Sequence, residues 1–342
     1  MAVTSPVARR LTAQLLAGPP ARDPVAVAER LLAVQAQDPR GARLAVRARS
    51  TGLSAADVDR ALTEDRSLLI TWLNRGTLHL VRREDYLWLH SLTAPRLVTA
   101  CLRRLAQEGV TPGEADRGVA ILERSLADEG PLTRERLAAR LSGAGVRTEG
   151  QALVHLRMLA AVRGLTVRGP MVGRGHADAL ARDWLGEPAP VDRDRALAEL
   201  ARRYLAGHGP AGDRDLAKWA GLPLRDARAG LEAIAGELRE RPDGLVDLAG
   251  RRRAAPLPPP RLLGAFDPLL LGWASREPIV GPHERRLVGG GLFHPFALVD
   301  GRAAARWRLR GGEVAIEPFG RLRREDAAAL EVDAADVVRF LG

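Results

Sequence analysis

The chain has 342 residues, a length at which several hydrophobic cores usually replace one, so two to four domains are expected and a peptide-sized binding module is excluded. Hydrophobic residues make up 46% and charged residues 27% of the chain, the balance of a globular protein rather than a disordered or fibrous one. Lysine and arginine number 52 against 42 acidic residues, and the resulting charge of +10 favours a polyanionic partner such as nucleic acid.

Helical patterns followed by a strand pair fill the first hundred residues. The predicted elements are, in order, helices over 3–17, 24–34 and 54–62, a strand-turn-strand unit over 67–81 and a connecting helical segment over 85–107. Asn74-Arg75-Gly76 forms the predicted turn, because Asn and Gly tolerate the positive φ of a tight hairpin. Three helices followed by a hairpin is the order of a winged helix-turn-helix unit.

The middle of the chain shows this order twice more, in two copies marked by Gly130-Pro131 and Gly209-Pro210, which are 79 residues apart. The first copy has predicted helices over 117–128 and 148–164 and extended pieces over 165–174, and the second has helices over 194–206 and 222–237 and extended pieces over 237–251. In each copy a further short helix follows the Gly-Pro and stops at a glycine region, 142–145 in the first and 220–223 in the second. The sequence therefore predicts three tandem winged helix-turn-helix units. A Rossmann or ferredoxin-like fold is excluded, because strands do not alternate with helices and no Gly-x-Gly-x-x-Gly follows a strand.

The composition changes after the proline-rich run 256–260, which is typical of a stiff linker. Asp300-Gly301 and Gly311-Gly312 each separate two extended segments, so a three-stranded meander is expected, as part of a β-rich, barrel-like domain. A helix over 323–340 ends the chain.

The predicted fold class is α+β, mostly α, with three tandem winged helix-turn-helix units and a C-terminal β-rich, barrel-like domain. The predicted domains are 1–108 for the first unit with its connecting helix, 109–190 for the second unit, 191–255 for the third and 261–342 for the β-rich domain with its terminal helix.

Cysteine and histidine usage bears on location and cofactors. Cys101 is the single cysteine, which excludes an internal disulfide and a cysteine-cluster zinc site and favours a reducing compartment, so we expect a cytoplasmic protein. The seven histidines show no His-x-x-x-His spacing, so neither a metal nor another cofactor is predicted. No stretch approaches 18 apolar residues, so no membrane association is expected.

The segment with the most chemical interest is Val34-Gln35-Ala36-Gln37-Asp38-Pro39. Side chains at i and i+2 diverge by about 200° on an α-helix, so Gln35 and Gln37 share a face only where the chain is extended or leaving a helix. Pro39 favours this, because the residue before a proline is pushed out of the α region. By spacing alone, two polar residues near a helix end are more often capping or surface residues than catalytic ones. Asp38 fits a turn or capping role, with a catalytic carboxylate as the alternative.

Four segments resemble the AlkZ and YcaQ family of winged-helix DNA glycosylases, and the match covers nearly the whole chain. They are LLAVQAQDPR (31–40), TWLNRGTLHLVRREDYLWL (71–89), LLGAFDPLLLGW (262–273) and GGGLFHPFALVDGRAAARWR (289–308). The family signature is Gln, an apolar residue, then Gln or Asp, and Gln35-Ala36-Gln37 matches the Gln-x-Gln form of the AlkZ branch. The resemblance implies three winged helices that form a basic concave surface, plus a C-terminal β-rich domain.

The resemblance also implies the activity: a monofunctional DNA glycosylase that removes N7-alkylated purines, including bulky adducts and interstrand crosslinks, in DNA repair or self-resistance. An N7-alkylguanine is already cationic, so its glycosidic bond breaks toward an oxocarbenium-like sugar without a strong acid. Gln35 and Gln37 would position a water at C1′ and stabilise the sugar cation through their carbonyl oxygens, with Gln37 the more direct. The implied partner is double-stranded DNA carrying alkylated purines, bound by a monomer.

Basic residues of the hairpin regions are the candidate DNA contacts, since tandem winged helices align their wings along one surface. The candidates of this kind are Arg75, Arg168, Arg174 and Arg252. The resemblance adds His79 and His294, which, like Arg75, match recurrent positions of the family. Hairpin packing or ordinary surface charge is the alternative explanation for each of them. His155 and Arg157 lie on a helix whose leucines predict that it mostly faces a core.

Two other functions fit the charge and the repeats. A non-enzymatic winged-helix regulator would bind duplex DNA without needing paired glutamines, and a resistance protein would sequester damaged DNA or drug without releasing a base. Lys218 is the single lysine, and its helix gives no reason to expect a Schiff base, so no lyase step is predicted. Aromatic residues make up only 4% of the chain, which favours attack on the adduct in place over base flipping into a stacking pocket.

Overall fold

A computed structural model describes residues 6–173, 175–187 and 189–342 of this mixed α/β protein, and about half of the chain is helical. The helices are α1 (Pro6–Ala13), α2 (Pro24–Leu31), α3 (Pro39–Arg47), α4 (Ala55–Thr63), α5 (Arg83–Thr93), α6 (Leu97–Gln107), α7 (Pro112–Glu129), α8 (Arg134–Gly143), α9 (Ala152–Val162), α10 (Ala181–Leu185), α11 (Arg193–His208), α12 (Asp213–Ala220), α13 (Leu224–Ala233), α14 (Pro268–Leu271), α15 (Glu277–Val280), α16 (Glu284–Leu287) and α17 (Arg324–Leu341). The strands are β1 (Val34–Gln35), β2 (Leu68–Leu73), β3 (Thr77–Arg82), β4 (Thr166–Val172), β5 (Gly175–Leu180), β6 (Leu238–Glu240), β7 (Val246–Leu248), β8 (Arg261–Leu263), β9 (Val288–Gly289), β10 (Leu292–Phe293), β11 (Phe296–Val299), β12 (Arg302–Arg310) and β13 (Glu313–Pro318).

Contacts among the described residues group the chain into two compact units. Unit 1 combines the residues up to Val58 with those from Leu197 onward, and unit 2 is Asp59–Ala196. The four-domain division of the sequence analysis stays a prediction, because compactness alone does not delimit winged-helix units.

Unit 2 contains two hairpins whose strands run in the order β3-β2-β4-β5. The predicted hairpin over 67–81 is confirmed, with Asn74 at φ 51° and Gly76 at φ 80° in its turn. The β4–β5 hairpin begins in the region that the sequence predicts to be extended. That the two hairpins share one sheet, through the pair Ile70–Arg168, was not predicted. Pairing of this kind covers backbone groups that an edge strand would expose.

Unit 1 contains the predicted meander, formed by β11, β12 and β13. A fourth strand, β8, pairs with β11 and was not predicted. The resulting order, β13-β12-β11-β8, leaves β13 and β8 as the two edges among the described strands, so this sheet is open and the barrel-like prediction is wrong. The terminal helix is confirmed as α17, and the proline run 256–260 contains neither helix nor strand, as expected of a linker.

The two Gly-Pro copies have the same local pairing. The residue after each proline forms an isolated antiparallel bridge with the second strand of the following hairpin, Leu132 with Asp178 and Ala211 with Val246. Each bridge has two backbone hydrogen bonds, of 3.0 and 2.9 Å in the first and 3.0 Å each in the second. The repeat in the sequence is therefore also a repeat of tertiary structure.

The first helical region differs from the prediction. The helix predicted over 24–34 ends at Leu31, because Leu32 adopts φ 64°, and α3 begins at Pro39, where no helix was predicted. The prediction treated the proline as the end of a helix, whereas its fixed φ also suits the first turn of the next one. Residues 32–38 thus form a short link between two helices.

Candidate active site

Both glutamines lie in this link. Gln35 is the second residue of β1, so the chain has the extended backbone that the prediction required at this point, and Gln37 follows in a bend before α3. The side chain of Gln35 is buried, with 6% of the residue exposed, whereas Gln37 is exposed. The extended backbone expected at Gln35 is present, but the glutamines lie before the start of α3 and not at the end of the helix predicted over 24–34. Gln37 is the member of the pair that a large substrate can reach.

Asp38 is the N-cap of α3. Its Oδ1 accepts a hydrogen bond from the Arg40 backbone N–H at 3.0 Å, and Pro39 occupies the first helical position. An aspartate at this position satisfies a backbone donor that has no partner within the helix and places a negative charge at the positive end of the helix dipole. The predicted capping role of Asp38 is confirmed.

Helix α3 is held against the C-terminal part of unit 1 over most of its length. A side chain at Gly41 would overlap the carbonyl oxygen of Ala265, so only glycine permits this close approach. The Arg47 guanidinium reaches Asp336 Oδ2 at 2.9 Å and the Leu262 carbonyl oxygen at 3.0 Å, and it also pairs with Asp333. The glutamines therefore precede a helix that cannot move independently of β8 and α17.

A fully buried ion pair anchors the chain just beyond α3. Arg49 Nη2 and Nη1 donate to Asp267 Oδ1 and Oδ2 at 2.8 and 2.9 Å, and Nη2 also donates to Gln14 Oε1 at 2.9 Å. Asp267 Oδ1 also accepts from the Leu269 backbone N–H and so caps α14. Buried charges of this kind are tolerated only when they are paired, so the network fixes three distant segments relative to one another.

The β2–β3 hairpin carries two of the predicted DNA contacts. Arg75 is half-exposed in the turn, but His79 is 2% exposed and its Nδ1 lies 2.9 Å from the Thr77 carbonyl oxygen. Burial, with a smaller contribution from Arg75, lowers the pKa of His79 to about 3, so the imidazole is neutral at physiological pH. The buried, neutral side chain of His79 fits the hairpin-packing alternative, and its DNA contact stays a prediction.

Arg168 lies on β4 in a largely buried setting. Its guanidinium lies over the Trp72 ring, 4.4 Å from the centroid, and its Nε is 3.5 Å from Asp178 Oδ1. Burial lowers the pKa of Arg168 to about 10, against the opposing effect of Asp178. The side chain keeps 15% exposure, and its charge is already partly balanced within unit 2. Arg174 lies outside the described residues.

Arg157 has the core position that the sequence predicts for its helix. It is buried in α9, and its Nε donates to Asp178 Oδ2 at 2.9 Å.

The remaining two candidates belong to unit 1. Arg252 is exposed and lines an open cavity of about 600 Å³ together with Arg30 and Arg251. His294 is half-buried beside β11, and its backbone N–H donates to the Leu287 carbonyl oxygen at 2.8 Å. Burial and the nearby Arg306 lower the pKa of His294, so it is predominantly neutral at pH 7.

Known proteins match this chain over nearly its full length. A family model described as "DNA glycosylase AlkZ-like" matches residues 28–340. The chain belongs to the AlkZ-like DNA glycosylase family. This glycosylase is 31% identical over 353 aligned positions to the "Interstrand DNA cross-link repair glycosylase" of Streptomyces sahachiroi, with 92% of this chain and 90% of that protein covered. It also resembles the solved structure of Streptomyces sahachiroi DNA glycosylase AlkZ, with a TM-score of 0.79 and 27% identity over 98% of this chain and 95% of that chain.

The candidate site in the 32–38 link combines two amides, Gln35 and Gln37, with the Asp38 carboxylate, which already caps a helix. A glutamine carbonyl oxygen accepts hydrogen bonds and presents a partial negative charge, but an amide does not take up a proton at neutral pH. Such a site positions water and stabilises positive charge better than it performs acid catalysis. A substrate whose leaving base needs no protonation is therefore the best chemical match.

The structure reveals contributors that the sequence did not indicate. The Arg49–Asp267 ion pair joins residues 218 positions apart, so no local pattern predicts it. Arg30, which lines the cavity in unit 1, has no local pattern that distinguishes it from other helix-surface arginines. The segment Phe266-Asp267-Pro268 has one local signal, an aspartate followed by a proline, which is typical of a helix start and does not indicate a buried ion pair. Within the described residues, no helix is long and apolar enough to cross a membrane.

Proposed function

We propose that this glycosylase hydrolyses the N-glycosidic bond of N7-alkylated purines in double-stranded DNA, with Gln37 and Gln35 at the reacting sugar. The observation that carries the proposal is the position of Gln35-Ala36-Gln37 in a non-helical link, directly before a capped and anchored helix. A rigid platform of this kind is what positioning catalysis requires, because small displacements of a reacting group cost large factors in rate.

The chemistry follows from the charge of the substrate. An N7-alkylated purine carries a positive charge, so the glycosidic electron pair leaves with the base and neutralises it. Water then adds its oxygen to C1′ and releases one proton to solvent. The exposed Gln37 holds this water through its side-chain carbonyl, and the buried Gln35 supplies a negative dipole end toward the sugar cation.

Bulky adducts and interstrand crosslinks are the proposed lesions, because the Streptomyces relative is named for crosslink repair. The proposed DNA-binding surface consists of three tandem winged helices. The matching bridges at Leu132 and Ala211 support this reading for the second and third units, since each joins the Gly-Pro segment to its hairpin. In a cell exposed to a DNA-alkylating natural product, this activity would provide self-resistance.

The test is base release from a duplex with a single N7-methylguanine or a bulky N7-guanine adduct, detected by alkaline cleavage of the abasic product. Wild-type protein should produce a cut at the lesion, and Gln37→Ala should reduce the single-turnover rate by about 100-fold or more, the scale expected when a positioned transition-state contact is lost. Gln35→Ala should also reduce the rate, with unchanged affinity for the duplex.

Gln107→Ala is the matched control, because Gln107 is an exposed glutamine at the end of α6 and far in sequence from the link. Its rate should equal that of the wild type. Lesion binding without abasic product, across several adducts, would contradict the proposal. A crosslinked duplex on a denaturing gel tests the crosslink assignment separately, since unhooking restores two separable strands.

A further inference from the structure

The cavity of about 600 Å³ in unit 1 has an unusual charge distribution. Among the described residues, three arginines line it, Arg30, Arg251 and Arg252, and no acidic residue does. Leu15, Ala206 and Leu248 contribute apolar walls. A pocket of this size, lined by both cationic and apolar residues, has the dimensions and chemistry of a site for a phosphate group and its attached sugar.

Arg30 is the main candidate for binding an anion in this cavity. It lies in the last turn of α2 and is half-buried, and its side chain makes no hydrogen bond or ion pair with any other described residue. Its backbone carbonyl packs so closely on α11 that a side chain at Gly207 would overlap it, so the end of α2 lies directly against α11. Burial and then the nearby Arg251 lower the pKa of Arg30, against the smaller opposing effect of Glu29.

Arg251 is fixed in place by its other contacts. Its Nε donates to Asp247 Oδ1 at 2.6 Å, and its Nη2 donates to the carbonyl oxygens of Leu205 and Ala206, the latter at 3.0 Å. Nη1 takes part in none of these bonds. The backbone N–H of Ala255 donates to Thr12 Oγ1 at 3.0 Å, which ties the start of the linker to α1 and holds Arg252 beside the cavity.

We propose that this cavity binds a phosphodiester of the DNA strand, with Arg30 as its main cation and Arg252 at its rim, while Arg251, whose charge is already paired with Asp247, contributes only a positioned donor through Nη1. This proposal rests on the DNA glycosylase activity of the family, and it does not depend on the N7-alkylpurine specificity. Arg30 and Gln35 are five residues apart, which bounds their Cα separation at about 17 Å, or roughly five base-pair steps. A phosphate held here would set the register of the strand relative to the glutamine link.

The test is the salt dependence of binding to an undamaged duplex and to one carrying a tetrahydrofuran abasic analogue, measured by fluorescence anisotropy between 50 and 300 mM salt. Each phosphate contact contributes about 0.9 to the slope of log Kd against log salt. Arg30→Gln should lower that slope by about one contact and weaken binding about 8-fold near 0.1 M salt. Arg252→Gln should act in the same direction, and it removes only an exposed side chain, so its folding is preserved.

Arg339→Gln is the control of equal charge change, because Arg339 is already paired with Asp336 and with the Leu53 carbonyl oxygen. An unchanged slope in both Arg30→Gln and Arg252→Gln would overturn the proposal. In a second experiment, inorganic phosphate or thymidine 3′,5′-bisphosphate is titrated into the protein, and binding is measured as an increase in Tm. Saturable binding of these anions with no change in the duplex slope would assign the cavity to a small phosphorylated ligand and also overturn it. Because neither duplex contains an N7 adduct, the result is independent of whether N7-alkylpurine excision is found.

Discussion

Replacing Asp267 by alanine probes the buried network that anchors the chain beyond α3. Both oxygens of this carboxylate accept from Arg49, and both residues are fully buried. Asp267 Oδ1 also caps α14 through the Leu269 N–H at 2.9 Å. The substitution leaves a buried guanidinium whose remaining acceptors, Gln14 Oε1 and the Ala45 carbonyl, carry no net charge.

The expected loss of stability is large. Removing one partner of a buried, hydrogen-bonded pair costs about 3–5 kcal/mol in free energy of unfolding, because the other charge stays buried and uncompensated. Loss of the cap adds about 1 kcal/mol. At roughly 2–4 °C per kcal/mol for a unit of about 200 residues, the apparent Tm should fall by about 10–20 °C.

Urea unfolding followed by far-UV circular dichroism, together with thermal melts, measures this effect. The double variant Arg49→Met/Asp267→Leu removes both charges and should recover at least half of the loss, because apolar replacement of a whole buried pair is often nearly neutral. The reasoning would be refuted if Asp267→Ala lost less than about 1 kcal/mol, a cost expected of a surface pair. It would also be refuted if the double variant were less stable than the single one.

Three further predictions concern single side chains. The pKa of His79 is about 3 in the folded state against 6.5 ordinarily, so the unfolded chain binds more protons between these values and stability falls as the pH drops from 6.5 toward 3. Between pH 7 and pH 5, wild type should lose about 2 kcal/mol more than His79→Gln in urea unfolding, and equal losses would contradict the burial argument. Asp38→Ala should cost about 1 kcal/mol, while Asp38→Ser should restore both stability and excision rate; an inactive but stable Asp38→Ser would make the carboxylate catalytic. Burial raises the pKa of Cys101 to about 11, so native protein should react with a thiol reagent at pH 8 far more slowly than urea-unfolded protein, and similar rates would show that the thiol is accessible.

Local patterns were sufficient where neighbouring residues decide the structure. Asn74 and Gly76 determine a tight turn because they tolerate positive φ, and the hairpin follows from the strand-forming residues on either side. The Gly-Pro copies predicted a repeated unit, and both copies form the same bridge. The Gln35 to Gln37 segment was expected outside a helix for a similar reason, because Pro39 restricts the residue before it.

Local patterns gave a wrong prediction, or none, where the same residue or strand edge is compatible with two structures. Pro39 is compatible with both the end of one helix and the start of the next, and only the capped helix α3 shows which applies. The edge of β11 was equally available to close a barrel or to accept β8, and pairing with β8 left the sheet open.

The sequence by itself determined the class of most elements, the repeat, the family and the chemical identity of the Gln-Ala-Gln segment, because these depend on residue type and short spacing. Tertiary structure alone decided which charges are available. Arg168 is largely covered by Trp72 and Asp178. Arg49 is paired with Asp267. Among the described residues, Arg30 has no ion-pair partner and lines the cavity beside Arg251. Partners of this kind lie up to 218 positions apart in the chain, and the burial that gives each pair its energy exists only after folding.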